Sequence, residues 1–341
     1  MQAPKIIKSR IASIKNTKQL TKAMEMISTV KMRRVLEGML ENRPFSHKTW
    51  EMLSQMLVNL EVRHQRGVSK HPLFREQRSE RFLVILLTDD RGLCGGFHAH
   101  LFAQLRRLLQ STKRPAAEVF DFINVGKKGS QFLRKRGLQP IIDHLMADFN
   151  QADDVAKEIV GYMMQQYAAG AYHSVFLVHT NYINTFEQVA QVRQLLPISW
   201  ETIQQQFADQ DFSSDLQLFA LDGLAAQPQL SRELRKSQVI EHPSLDWKMT
   251  IDQVPEYQIE PDEYAIIDQL VPFCLEAQIY HALLESQVSA EAARVVHMKN
   301  ATTAAGDVQA RLQLSYNRAR QDRITQDITE ISAGKSALED H

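Results

Sequence analysis

A helical pattern runs from Asp262 to about Gly334, and it limits the possible folds more than any other stretch of the 341-residue chain. Pro261-Asp262-Glu263 predicts its start, because acids are favourable in a first helical turn. Ile267, Leu270, Cys274, Ala277, His281, Leu284 and Val288 then recur at alternating steps of three and four, extended by Ala292 and Val295. Val308, Leu312, Tyr316, Ala319, Arg323, Ile328 and Ile331 read as a later, shifted stripe, with Gly306 as the break. At 1.5 Å per residue this helix is about 108 Å long, too long to lie along one domain of ordinary size. It needs a partner helix.

Residues 5–60 predict that partner, about 84 Å of it. Ala, Lys, Met, Leu and Glu dominate there, and Gly38 is the only glycine. Ile7, Ile11 and Ile14 form one apolar stripe; Leu20, Met24 and Ile27 form a second; Val35 and Met39 form a third. The steps between stripes do not read as multiples of a heptad, so the pattern predicts a coiled coil that drifts or locally unwinds. Thr17, Thr21, Ser28 and Thr29 thin its seam. Pro44 predicts a kink or stop near Arg43. Six of the 12 methionines lie between Met24 and Met56, where unbranched, polarizable side chains suit a core or a surface that meets differing partners.

Between the ends the period changes. Arg81–Thr88, Glu118–Val125, Pro140–Asp143, His173–Thr180 and Gln188–Leu195 read as strands. Helical segments at about 96–110, 128–136 and 153–169 alternate with them. Such alternation predicts a small Rossmann-like α/β domain with a mainly parallel sheet. The expected fold class is therefore α/β, with an antiparallel coiled coil of the N- and C-terminal helices projecting from that domain. Antiparallel pairing follows because one helix enters the domain and the other leaves it. The boundaries expected are 1–60 and 262–335 for the coiled coil, 75–200 for the α/β domain, 201–253 for an acidic insertion and 254–261 for a connection into the last helix. Within the insertion, Glu201–Ala208 and Asp215–Leu224 read as short helices.

Forty basic and 40 acidic residues cancel, yet they are segregated. Residues 1–36 hold nine bases against one acid, and residues 201–263 hold 13 acids against four bases. That asymmetry predicts charged partners or an internal electrostatic match. The basic segment has no aromatic residue before Phe45 on which bases would stack, so an acidic protein surface is favoured over nucleic acid. The two cysteines, Cys94 and Cys274, exclude a disulfide framework and a cysteine-based zinc site, and they fit a reducing compartment. The longest strongly apolar run, Phe82–Leu87, is far short of the roughly 20 residues that cross a bilayer. Bases at Arg10, Lys15 and Lys18 fall where a secretory signal needs an apolar core.

Catalytic patterns are weak. Asp90-Arg-Gly-Leu-Cys-Gly-Gly96 follows a strand and opens a helix, the place of phosphate-cradling turns, but its spacing fits neither dinucleotide nor P-loop fingerprints. Gly126-Lys-Lys-Gly-Ser130 also lacks the P-loop spacing. No H-E-x-x-H or clustered metal-ligand set occurs, and no nucleophile elbow. No catalytic, cofactor or metal residue is assigned. The rivals left open are a nucleotide-binding α/β enzyme using the Gly92–Gly96 turn, and a static coiled-coil scaffold or nucleic-acid binder using residues 1–36.

Three segments resemble the gamma subunit of F-type ATP synthase. Ile11-Ala-Ser-Ile-Lys-Asn-Thr-Lys-Gln-Leu-Thr-Lys-Ala-Met-Glu-Met26, continuing to Lys31-Met32-Arg33, is similar to that family's opening helix. Asp90–Gly96 is similar to its turn after the first strand. Glu285–Arg294, Met298-Lys299 and Tyr316–Ile331 resemble its terminal helix. The resemblance implies a non-catalytic rotary shaft that couples proton flow through a membrane ring to ATP synthesis or hydrolysis on beta. It implies three alpha and three beta subunits, epsilon and the c-ring as partners, no cofactor, and a peripheral place on the cytoplasmic face of the bacterial inner membrane. It also assigns residues. Met24, with Lys18 and Lys22 around it, matches the position near an acidic loop of beta, and Arg294, Gln321 and Thr325 match coupling positions of the terminal helix. The acidic sequence after Leu195-Leu196-Pro197 departs from ordinary members. It lies about where chloroplast-type relatives carry a redox insertion, but it contains no cysteine, so a dithiol switch is excluded.

Overall fold

The computed structural model describes residues 4–64, 72–111, 114–146, 151–198 and 263–339. The expected insertion (201–253), its two short helices and the connection (254–261) lie outside them.

The first helix, α1, spans Pro4–His64 and the last, α6, spans Glu263–Glu339. Between them come β1 (Phe82–Leu87), α2 (Phe97–Gln110), α3 (Ala116–Val119), β2 (Phe120–Val125), α4 (Lys127–Arg134), β3 (Ile142–His144), α5 (Ala152–Ala168), β4 (Ser174–Tyr182) and β5 (Gln188–Leu196). A 3-10 turn, Pro72–Phe74, precedes β1. The strands form one sheet in the order β3-β2-β1-β4-β5. β1, β2, β3 and β4 run parallel, and β5 is antiparallel to β4. The parallel crossovers take a helix each, as chain reach requires.

The chain divides into two compact units: a terminal unit of residues 1–31 and 294–341, and a sheet unit of residues 32–293. In the sheet unit, alternate side chains of β1 serve two cores. Leu83, Ile85 and Leu87 pack with α5 (Ala156, Ile159, Met163), with Met32, Val35, Met39 and Leu53 of α1, and with Ile267, Val271, Leu275 and Ile279 of α6. Val84 and Leu86 pack on the other face with Leu101 and Leu105 of α2 and with Phe132 and Leu133 of α4. Each fully buried aliphatic side chain stabilises by about 1.5–3 kcal/mol relative to exposure. Two acids, Asp153 and Asp154, sit in the first turn of α5, where the helix dipole favours them.

Expectations about Pro44 and about the seam are corrected. Pro44 does not stop α1, which continues to His64. Proline removes one donor and crowds one carbonyl. Packing of Met32, Val35, Met39 and Leu53 on either side outweighs that local loss. The last helix, α6, is continuous through Gly306, as the single long helix expected, and through Pro272, which the sequence reading passed over.

The second correction concerns the seam. In the terminal unit the less exposed positions of α1 include Ile7, Ile11, Ile14, Lys18, Thr21, Glu25 and Ser28, a series at steps of four and three, flanked by the half-buried Ala23, Met24 and Thr29. On α6 they include Val295, Met298, Thr302, Ala305, Gln309, Leu312, Tyr316 and Ala319, a series with the same steps, flanked by the half-buried Val296, Ala301 and Gly306. The seam does not drift. Val35 stands three heptads after Ile14, so the first and third stripes share one phase. The second stripe, Leu20, Met24 and Ile27, is out of phase: Leu20 and Ile27 are exposed, at 62% and 54%, and Met24 is half-buried. The helices run antiparallel within this unit: Thr21 Oγ1 lies 2.8 Å from Thr302 Oγ1, and Lys18 Nζ lies 3.2 Å from where a side-chain carbon on Gly306 would sit.

Candidate functional site

The terminal unit has little apolar interior. Among its described residues, Ile7, Met298 and Ala305 are the buried hydrophobics, beside the polar Ser28 and Arg294. Its large apolar side chains instead face outward: Ile6, Leu20, Met26, Ile27 and Val30 on α1, and Val308, Leu314, Ile324, Ile328 and Ile331 on α6. Lys5, Lys8, Arg10, Lys15, Lys22 and Lys31 are exposed among them. The first turn of α1 holds no acid, although the helix dipole would favour one. Folding alone does not ask for this distribution. An outward apolar surface studded with bases suits an acidic partner with apolar ledges.

Lys18 is half-buried at a seam position, and Lys22 is exposed, its Nζ donating to Glu25 Oε1 at 2.9 Å. Met24 is half-buried beside Glu25. These three share one stretch of α1. Gln321 and Thr325 lie elsewhere, on the end of α6, where every residue from Arg320 to Ser332 is exposed. That stretch lies past Ala319, the last half-buried position on α6. Arg294 is 2% exposed, which rules out a solvated helix face for it. Sequence reasoning placed Thr21 and Ser28 in the seam but missed Glu25 on α1 and Thr302 on α6. Counting one heptad back from Met32 would have found Glu25.

The sheet unit carries the nucleotide-like turns. The N–H groups that open α4 are the donors a phosphate would use. Here Lys127 N donates to Asp90 Oδ1 at 2.8 Å, Lys128 N to Asp89 O at 3.2 Å, and Gly129 N to Thr88 Oγ1 at 2.9 Å. Met146 N also reaches Asp90 Oδ1, at 3.1 Å. Oxygens of the loop after β1 thus occupy the anion seat. Gly126 approaches so closely that a side-chain carbon there would meet Thr88 O at 2.3 Å. In the Gly92–Gly96 turn, Cys94 Sγ lies 3.2 Å from His98 Nδ1 and is buried.

A polar cluster lies between β4, β5 and α6. His179 is fully buried, with Gln191 Nε2 at 3.2 Å from its Nε2 and Glu285 Oε2 at 3.6 Å from its Nδ1. An amide nitrogen only donates, so Nε2 accepts and Nδ1 carries the proton. His281 Nδ1 lies 3.9 Å from Glu285 Oε1. Burial holds His179 well below the usual histidine range, and Arg193 and His281 act in the same direction. The unfolded chain therefore takes up this proton first as pH falls through about 6.5. Stability is fully present above that pH and declines below it, by up to about 1.4 kcal/mol per pH unit. Melting temperature should drop between pH 7 and pH 5, and His179→Gln should flatten the drop. Equal acid sensitivity in both proteins would contradict the assignment.

Among the described residues no group of His, Cys, Asp and Glu has a metal-binding arrangement, and no helix is long and apolar enough to cross a membrane.

Comparison with known proteins finds a match to the ATP synthase family model over residues 4–338. An ATP synthase gamma chain of Pelotomaculum thermopropionicum is 34% identical over 333 residues, 98% of each chain. One from Legionella pneumophila (strain Paris) is 31% identical over 340 residues, 99% of this chain and all of the relative. Both alignments therefore run through the acidic segment. The fold resembles a chain in the Euglena gracilis mitochondrial ATP synthase structure of OSCP, F1 and c-ring, with a TM-score of 0.55 and 18% identity, covering 98% of this chain and 94% of that one. A chain in the rotor of the same organism's enzyme gives a TM-score of 0.52 at 17% identity, covering 94% and 98%.

Proposed function

The chain belongs to the ATP synthase gamma family, and from that membership we infer that it is the central rotary shaft of an F-type ATP synthase. It couples proton flow through a membrane ring to ATP synthesis or hydrolysis on beta. Its partners are three alpha and three beta subunits, epsilon and the c-ring. It supplies no catalytic residue; the chemistry is on beta. It sits peripherally, on the cytoplasmic face of the bacterial inner membrane, held there by the complex.

The observation that carries this reading is the outward distribution of apolar and basic side chains on a regular seam. A uniform rod would meet every beta subunit with the same surface. Here Leu20, Ile27 and Val30 mark one helix, while Ile324, Ile328 and Ile331 mark the end of the other. Each orientation then has a different affinity for open and closed beta, and rotation exchanges them. Lys18, Lys22 and Met24 face an acidic loop of beta in this scheme. Arg294 holds the helix beneath the contact, and Gln321 and Thr325 engage the upper ring. The N–H groups that open α4 donate to oxygens of the loop after β1, which argues against a phosphate seat at that helix start.

The test is affinity purification of the tagged chain from gently solubilised native membranes, with subunit identification and an ATPase assay. Recovery of alpha, beta and epsilon with azide-sensitive ATPase is expected. Recovery of the chain alone, or with unrelated partners, would overturn the reading.

The acidic segment modulates contact at the foot of the shaft, with epsilon or the c-ring. Deleting residues 203–250 should alter epsilon inhibition or proton pumping while the ring still assembles. Unchanged assembly, pumping and inhibition would contradict that role.

A further inference from the structure

Across the middle of the terminal unit, hydrophobic knobs do not set the register. The seam positions there are Lys18, Thr21, Glu25 and Ser28, facing a stretch of α6 that holds Met298, Thr302, Ala305 and Gly306. Small and polar groups on both sides give weak apolar purchase, and a glycine offers a shallow hole. Directional bonds must then fix how far one helix slides or turns on the other.

The hydroxyl geometry supplies such a bond. Thr302 Oγ1 is 2.8 Å from Met298 O, so its proton goes to its own helix. Its oxygen remains an acceptor, and Thr21 Oγ1 lies 2.8 Å away. Thr21 can donate there or to Lys18 O, which is 3.1 Å distant. The shorter path forms a chain, Thr21 O–H to Thr302 O–H to Met298 C=O, in which each bond polarises the next. Lys22 and Met24 are neighbours of Thr21 on the same helix, so their direction follows its setting.

We propose that the Thr21–Thr302 hydroxyl relay is a register pin, a positioning pair that aims Lys22 and Met24 at the ring. The proposal rests on the rotary reading for its functional consequence, but the pin itself is a property of the terminal unit.

Valine keeps the β-branched shape of threonine and deletes the hydroxyl. It also makes the seam more apolar. A pin and a merely structural contact therefore predict different results. In the assembled, membrane-bound complex, Thr21→Val and Thr302→Val should each lower protons pumped per ATP hydrolysed by threefold or more. The melting temperature should stay the same or rise. The double variant should be no worse than either single one, because one chain of bonds is lost in all three. Thr21→Ser, which restores the hydroxyl, should restore coupling. Unchanged coupling in Thr21→Val, equal loss in Thr21→Ser, or loss in proportion to melting temperature would overturn the pin.

A second measurement does not depend on the ring. Spin labels at Asn16→Cys and Asp307→Cys, both exposed, report the distance between the helices in the isolated full chain, where the native Cys94 and Cys274 are buried. Thr21→Val should shift or broaden that distance distribution, and Thr21→Ser should not. An unchanged distribution in Thr21→Val would overturn the pin. If the unaltered chain fails to join a ring at all, the rotary reading fails, and the labels still decide the pin.

Discussion

Reversing the charge at Lys18 and Lys22 together lowers coupled proton pumping by roughly tenfold, a difference of about 1.4 kcal/mol in how shaft and ring engage. Lys22 donates to Glu25, whose side chain is only 14% exposed. A carboxylate in place of Lys22 faces Glu25 one turn away and repels it. Lys18 sits at a seam position, so its replacement by Glu adds a second negative charge to the same patch. Lys22 itself is 53% exposed, so solvent screens the pair and its contribution to folding is small, about 0–1 kcal/mol; the helices still form and the complex still assembles. The measurement is the ratio of protons pumped to ATP hydrolysed in Lys18→Glu/Lys22→Glu membranes, beside the amount of assembled complex. Loss of assembly alone, with normal coupling in what remains, would deny this face a role in torque.

Gly126→Ala destabilises the sheet unit by roughly 4 kcal/mol or more, a large share of a typical 5–15 kcal/mol total. Gly126 has φ +102°, which side chains rarely adopt, and an added carbon would meet backbone atoms of Thr88 at 2.3 and 2.6 Å. Backbone has nowhere to give. The same residue's N–H donates to His144 O at 2.8 Å, and its carbonyl accepts from Thr88 Oγ1 and Asn124 Nδ2. Any shift would loosen the ends of β1, β2 and β3 together. Gly161, inside α5, has nothing within 4 Å of an added carbon. Gly161→Ala should therefore stabilise, by up to about 1 kcal/mol. Thermal or urea unfolding of the two variants should move in opposite directions; a small effect at Gly126 would mean that the loop relaxes.

Much of this architecture is legible in the sequence because its periods are clean. Phe82–Leu87 announces a buried strand through uninterrupted apolar residues, and the alternation with helices 97–110 and 152–168 announces the parallel sheet. The seam is harder. Leu20, Met24 and Ile27 look like a stripe because hydrophobicity is taken as a sign of burial, yet two of them face outward. A surface built to meet partners breaks that assumption, and only the heptad phase carried from Ile14 to Val35 reveals the polar seam beneath. Proline at 44 misleads for another reason: local propensity is a weak term beside the tertiary packing of a long helix. The buried setting of His179 and the Asp90 contacts at α4 join residues far apart in sequence, so no local pattern marks them. The site residues named from resemblance separate into the stretch at Lys18–Met24, the buried Arg294 and the exposed end of α6, which residue spacing alone could not reveal.

The most direct test of the rotary account is a pair of reversible cross-links in the assembled complex. One joins Val30→Cys, exposed on α1, to a cysteine on beta; the other joins Ile14→Cys to Gln309→Cys, half-buried seam positions on the two helices. The account predicts that the first stops multi-turnover rotation and proton pumping until the bond is reduced, while the second leaves both intact. Full rotation with the shaft–beta bond verified as closed would contradict it.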